Sequence, residues 1–258
     1  MDHSKIIVIT GAAGGIGTCL TRALSEEYNA RIWATDVDAI ALKELKNQMQ
    51  KYGHDIRTEV MDVTKLSSIE SVITKIIAED KSIDLWINNA GISSIKPFHE
   101  QTLAEFQRVI DINFNGTVNC SHLVLDRMRE QGRGTIVNMA SVAGFVPCAY
   151  MSSYVAAKHA VVGFTRALRS ELKLHDSPVQ TMLVAPGFVA TKLIAKGEQR
   201  GFPEWLSWML ANPATIARAV VKGLKSQRAE IYPSWNGKFM LRMHKYFPEY
   251  TVNSAKIL

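Results

Sequence analysis

Tyr154 and Lys158, in Tyr-Val-Ala-Ala-Lys, stand four residues apart in a stretch with helical periodicity, so a phenol and an ammonium group share one face. A free tyrosine titrates at about 10 and exchanges protons poorly near neutrality, whereas a nearby cation stabilises its phenolate. Such a pair makes an acid/base. Ser141 follows the apolar run Thr135-Ile-Val-Asn-Met139, at whose end its hydroxyl can hold a substrate oxygen near the phenol. A tyrosine four residues from a lysine also arises by chance in any protein, so the pair alone assigns no role.

A second group of residues suits phosphate. Thr10-Gly11-Ala12-Ala13-Gly14-Gly15-Ile16-Gly17 joins an apolar run to a helical stretch, Thr18 to Tyr28. Glycines let the backbone turn sharply and approach a pyrophosphate, which then meets the free N–H groups and positive dipole end of the helix. The spacing is not G-x-G-x-x-G, and no Lys-Ser/Thr pair follows as in nucleotide hydrolases. Read alone, the turn is either a phosphate cradle or merely a tight turn. Asp36, nineteen residues after Gly17, ends the next run, where a carboxylate can bond adenosine ribose hydroxyls and repel a 2′-phosphate. Gly14 and Val37 leave no cation to clamp such a phosphate, which favours NAD(H) over NADP(H), although Arg31 and Lys43 lie nearby in sequence. The competing reading of Asp36 is a cap for the helix that starts near Asp38.

These residues need a scaffold. Short β-branched runs alternate with helix-like stretches: Lys5 to Thr10, Arg31 to Thr35, Ile56 to Val60, Asp84 to Asn88, Gly134 to Met139, Gln180 to Ala185 and Ala229 to Tyr232. That alternation predicts βαβ units around a parallel sheet, and the lack of strict polar alternation predicts strands covered on both faces. Two longer stretches, Leu103 to Arg129 and Ser152 to Leu174, read as helices buried on more than one side. No linker, composition break or repeat divides residues 1–258, so one α/β domain is expected.

Composition sets bounds. An apolar content of 47% supports a continuous core, and the longest apolar runs fall far short of a membrane span. The opening Met-Asp-His-Ser-Lys lacks the features of a secretory signal, so a cytoplasmic location is expected. Cys19, Cys120 and Cys148 are scattered without metal spacing and read as reduced thiols, with no metal site expected. The net charge of +6 resides in one place, because Arg218 to Leu258 carries eight Lys/Arg against Glu230 and Glu249. This charge forms no nucleic-acid motif, and no nucleic-acid partner is expected.

Taken together, Thr10-Gly-x-x-x-Gly15-Ile-Gly17, Asp62-Val63, Asn88-Asn89-Ala90-Gly91, Asn113, Ser141, Tyr154-x-x-x-Lys158 and Pro186-Gly187 resemble the motif series of the short-chain dehydrogenase/reductase family. The resemblance runs from Lys5 to about Thr191. It implies a single-domain, doubly wound (Rossmann-like) parallel sheet of about seven strands, with ligands at the strands' carboxyl ends. By resemblance, Thr10, Gly11, Gly15, Ile16 and Gly17 line the pyrophosphate, Asp36 the ribose, Asp62 and Val63 the adenine, and Asn89, Ala90 and Gly91 back the cofactor. Tyr154 is then the acid/base, Lys158 grips the nicotinamide ribose and lowers the tyrosine pKa, and Ser141 orients the carbonyl. Asn113 places a relay water behind Lys158, and Pro186, Gly187, Val189 and Thr191 bracket the nicotinamide. The implied activity is hydride transfer between NAD(H) and an alcohol or ketone.

In this family the region corresponding to 188–213 often folds over the substrate. Phe188, Leu193, Ile194, Phe202, Trp205, Leu206, Trp208, Met209 and Leu210 make it apolar, which suggests a steroid- or fatty-type substrate, or simple packing on the body or a second subunit. Cys148 and Tyr150 are candidates for substrate contact. The basic extension 234–258 places Phe239, Met240, Met243, Tyr246, Phe247 and Tyr250 on one helical face and Lys238, Arg242 and Lys245 on another. Such a helix either lies on an anionic membrane or packs on its own protein. Other readings are a carrier-protein-linked 3-oxoacyl reductase, disfavoured by Asp36, and a non-catalytic NAD(H)-binding sensor or scaffold, which has no need of Ser141, Tyr154 and Lys158 together. The long helices around Asn113 and Tyr154 resemble those through which family members pair, so a homodimer or homotetramer is expected.

Overall fold

The computed structural model describes residues 5–190 and 210–249. β1 (Ile6–Thr10), β2 (Arg31–Asp36) and β3 (Arg57–Val60) alternate with α1 (Gly15–Tyr28), α2 (Ala39–Lys51) and α3 (Leu66–Asp80). β4 (Leu85–Asn88) leads through α4 (Leu103–Ile110) and α5 (Gly116–Glu130) to β5 (Gly134–Met139). α6 (Ser152–Leu174), β6 (Val179–Val184), α7 (Pro213–Lys225), β7 (Glu230–Ile231) and α8 (Trp235–Tyr246) complete the described chain. All neighbouring strands are parallel, in the order β3-β2-β1-β4-β5-β6-β7.

Alternation along β1 explains why the sheet is central. Ile7 and Ile9 join Leu20, Leu24, Leu42, Leu45, Ile216 and Val220 beneath α1, α2 and α7. Ile6 and Val8 point the other way, to Trp33, Trp86, Ile73, Ile76, Val124 and Leu168 beneath α3, α5 and α6. Successive side chains thus feed opposite cores, so both positions are apolar. Each fully buried Ile or Leu contributes roughly 1.5–3 kcal/mol. β1 lies between β2 and β4, so the chain reverses its direction of growth there, the position at which open α/β sheets form a ligand crevice outside the carboxyl ends of the strands.

The predicted helix over Leu103 to Arg129 is interrupted. Asp111–Asn115 forms a π-turn between α4 and α5, and the Gly116 N–H donates to Asp111 O five residues back. The backbone stays in the right-handed helical region at Ile110, Asn115 and Gly116, which is why periodicity alone does not reveal the break. Gly116 is needed at its end, since a Cβ there would come 2.6 Å from Val63 Cγ2. Among the described residues no helix is long and apolar enough to cross a membrane, and no group of three His, Cys, Asp or Glu gathers to hold a metal ion.

Candidate active site

The phosphate end is built mainly of backbone. The Thr10 hydroxyl accepts the N–H groups of Asn89 and Ala90 at 3.0 and 2.9 Å, and Asn89 Nδ2 donates to Thr10 O and Gly11 O. These bonds tie the ends of β1 and β4 together, so the Asn89 side chain props the turn from behind. Gly11 has φ +61°, and a Cβ on it would lie 2.7 Å from Ala90 Cα. Gly17 is equally constrained, its Cβ falling 2.2 Å from Gly11 O. α1 then starts at Gly15 with no side chain capping it, which leaves the N–H groups of its first turn to an outside acceptor and suits an anion. The Ile16 side chain packs against the core beside the turn.

Asp36 faces this turn. Its Oδ2 accepts the Ala13 N–H at 3.1 Å, placing the carboxylate beside the glycine loop. The cap of α2 is Asp38, whose Oδ1 accepts from the N–H groups of Ile40 and Ala41, which decides against the capping reading of Asp36. Arg31 pairs with Asp80 on α3 and Lys43 is exposed on α2. Asp62 lies just beyond β3, next to Asp36, through Met61 N–H donating to Asp36 O at 3.0 Å. Burial pushes the Asp62 carboxyl up, but hydrogen bonds from Thr64 and Lys65 outweigh this and hold it below the usual range. Val63 is buried, with its carbonyl accepting Asn119 Nδ2.

At the catalytic end, β5 delivers Ser141 and α6 delivers Tyr154 and Lys158. Ser141 Oγ accepts the Ala143 N–H at 3.2 Å and donates to Pro186 O at 3.4 Å, so its position is fixed from two sides. It stands close enough to the Tyr154 phenol to draw its pKa down. Gly144 lets this segment sit on α6, because a Cβ there would come 2.6 Å from Lys158 O. Lys158 is buried, its Nζ donates to Met139 O at 2.8 Å, and it lies 5.6 Å from the Tyr154 ring centroid.

The expected lowering of the tyrosine pKa by Lys158 is not what this geometry produces. Burial pushes the Tyr154 phenol up to about 12, with Ser141 drawing it down and Cys148 pushing it further up. Burial likewise brings Lys158 down to about 8. Desolvation penalises both charged forms, and one of the three N–H donors of the ammonium is committed to Met139 O. The phenol is therefore held neutral, as a proton donor.

Asn113 sits in the π-turn. Its Nδ2 donates to Ile92 O and Val109 O, each at 2.8 Å, while its buried Oδ1 has no hydrogen-bond partner among the described residues. A Cβ on Gly91 would lie 2.7 Å from that oxygen and 3.7 Å from Lys158 Nζ, so an acceptor and a donor converge on one small space. A water or a hydroxyl group held there would satisfy both. Pro186 accepts from Val142 N–H, Gly187 N–H donates to Ser234 Oγ at 2.9 Å, and Val189 is buried and bridges to Ala211. Thr191 lies outside the described residues, as does 191–209 of the apolar 188–213 region.

Two sets of residues were given no role by sequence. Asn88 Nδ2 donates to Ser121 Oγ and Asn138 Oδ1, and Asn138 Nδ2 donates to Thr165 Oγ1, a buried network that braces β4, β5, α5 and α6 below the site. Ser234, Asn236 and Gly237 form the wall behind Gly187, where a Cβ would come 2.1 Å from Asn236 Oδ1. Ser234 as helix N-cap was the available signal.

The fold and the site define a dinucleotide-dependent oxidoreductase. The sequence model of the family described as short chain dehydrogenase matches residues 5–200. "Putative oxidoreductase SadH" of Mycobacterium tuberculosis is 32% identical over 237 residues, covering 89% of this chain and 86% of its own. Levodione reductase of Leifsonia aquatica is 32% identical over 227 residues, covering 87% and 81%. A solved levodione reductase structure superposes with TM-score 0.80 at 30% identity, covering 91% of this chain and 97% of that one. A Burkholderia phymatum short-chain dehydrogenase/reductase solved with NAD gives TM-score 0.85 at 23% identity, covering 96% of both chains, a likeness of fold. The chain belongs to the short-chain dehydrogenase/reductase family, whose members act on CH–OH groups and the corresponding carbonyls.

Proposed function

We propose that the protein interconverts a lipophilic alcohol and its ketone with NAD(H). The observation that carries this is the meeting of Ser141, Tyr154 and Lys158 at the carboxyl end of β5, in one crevice with a glycine turn faced by Asp36. Bound NAD(H) supplies or accepts the hydride. Ser141 holds the substrate oxygen, and in reduction Tyr154 donates its proton to that oxygen as negative charge develops there. Lys158 then gives a proton back to the phenolate and regains one from solvent, for which a water held at Asn113 Oδ1 would be the carrier. Asp36 supports NAD(H), because a carboxylate beside the loop accepts ribose hydroxyls and repels a 2′-phosphate. This also counts against an NADPH-linked 3-oxoacyl reductase. The intact catalytic set counts against a purely binding role.

The lipophilic preference rests on the apolar content of 188–210 and on Cys148 beside the phenol. Exposed Phe98 just before α4, Leu103 at its start and Leu174 at the end of α6 support a homodimer or homotetramer through these helices. The test follows NADH absorbance over a series of alcohols and ketones. Long-chain and steroid substrates are expected to give the highest kcat/KM, and a clear preference for short polar alcohols rejects the lipophilic reading.

A further inference from the structure

We infer that α8 docks the protein on an anionic lipid surface through its outward face. The predicted apolar stripe of this helix splits in the structure. Met240 and Met243 turn partly inward, and the buried contacts are made by Asn236 and Gly237. Phe239, Tyr246 and the adjoining Phe247 turn outward, 53%, 67% and 59% exposed. These rings are surplus to the core, and large apolar side chains gathered on one exposed face mark an interaction surface.

Charge identifies the occupant. Lys238, Arg242 and Lys245 are exposed at spacings of four and three, beside the aromatic line. Among the described residues none of the three has a carboxylate partner, whereas Lys225 pairs with Glu27, and Arg166 and Arg169 share Glu230. Lys245 instead stands 5.5 Å from the Tyr246 ring centroid. The whole net charge of the chain lies in the segment that contains α8. Unpaired cations interleaved with amphipathic rings suit a lipid headgroup layer, where rings settle at the interface and long cationic side chains reach the phosphates. The helix is too short to span a bilayer, so it lies in the surface plane.

The docking face is also joined to the site. Ser234, which caps α8, accepts from Gly187 N–H, Asn236 Nδ2 donates to Phe188 O at 3.0 Å, and a Cβ on Gly237 would meet Val142 Cγ1 at 2.8 Å. A docked enzyme therefore holds the Gly187 wall of its crevice close to the bilayer. The inference stands on α8 alone and is independent of hydride transfer.

The test is sedimentation of the 258-residue chain with vesicles of phosphatidylcholine alone and of phosphatidylcholine mixed with phosphatidylserine, alongside sedimentation velocity without lipid. Binding to the mixed vesicles only is expected, weakening with salt. The Lys238→Gln/Arg242→Gln/Lys245→Gln variant is expected to lose about a hundredfold in vesicle affinity. Phe239→Ser/Tyr246→Ser is expected to release the protein from vesicles without changing its oligomeric state. Both variants keep NADH binding, because their side chains face solvent. Absence of binding to either vesicle overturns the inference, as does equal binding by the triple variant. A change of oligomeric state in the aromatic variant, with no vesicle binding by the parent, assigns the face to a second copy and overturns it too.

Discussion

At the carboxyl ends of β1 and β2 the site is made of backbone: a left-handed Gly11, a Gly17 carrying no Cβ, the open first turn of α1 and one carboxylate. At the ends of β5 and α6 it is made of side chains whose protonation is governed by burial. The first region works by shape, which tolerates no added atom. The second works by charge, which a change of one functional group or of pH can switch without moving the chain. The contrast leads to the expectation that binding and chemistry in this crevice fail separately.

The largest expected effect tests that separation directly. Tyr154→Phe removes the proton donor and leaves the glycine turn untouched, so turnover is expected to fall roughly 10²–10⁴-fold while NADH binds as before. Near-normal turnover would reject the acid/base assignment, and loss of NADH binding would erase the contrast. Gly17→Ala is the reciprocal change. Its methyl group would meet Gly11 O, so a loss of about 1–3 kcal/mol in stability and weaker NADH binding are expected, read by thermal melting and by titration. Equal melting and binding would show that the turn yields.

Asp36→Ala is expected to weaken NADH about tenfold to a hundredfold, the value of hydrogen bonds to a charged acceptor, and to bring NADPH closer to parity. If the parent already binds NADPH more tightly, the role of Asp36 is wrong. A smaller change comes from pH. The Tyr154 phenol stays protonated through neutrality, whereas Lys158, lowered to about 8, loses its charge above that value. Carbonyl reduction is therefore expected to hold level below pH 8 and to decline above it, and a rising rate there would contradict the proton path through Lys158. The smallest effect lies outside both regions. Arg166, opposed by burial and helped by Arg169 and Tyr232, lowers Glu230 to about 2, below its usual range. Its stabilisation is present above about pH 4.5 and is lost as pH falls toward 2. Glu230→Gln should cost about 1 kcal/mol at neutral pH and flatten the acid limb of the stability curve.

Much of this was legible before folding. The seven strands lie where the β-branched runs predict them to within a residue at either end; the inner strands β1 and β4 are buried along their whole length, as strands covered on both faces must be, whereas the edge strand β3 stays part exposed. α6 has the predicted bounds Ser152–Leu174, since its periodicity is unbroken from end to end. Gly11, Gly17, Asp36, Ser141, Tyr154 and Lys158 could be named because their chemistry depends on residue type and local spacing.

Other features were decided only by distant parts of the chain. Asp36 and Asp38 are the same residue type two positions apart, and only the approach of Ala13 N–H to one and of the α2 N-terminus to the other separates their roles. The π-turn at Asn113 needs Val63 and Ile92 in place, and the outward turn of Phe239 follows from Gly237 packing against Val142 and Gly187. The protonation of Tyr154 and Lys158 reverses the reading from spacing, because spacing records that a cation is near but not how much water both groups have lost. Sequence determined which groups exist and which local conformations they adopt. The tertiary structure determined desolvation and long-range contact, quantities that depend on atoms far away along the chain.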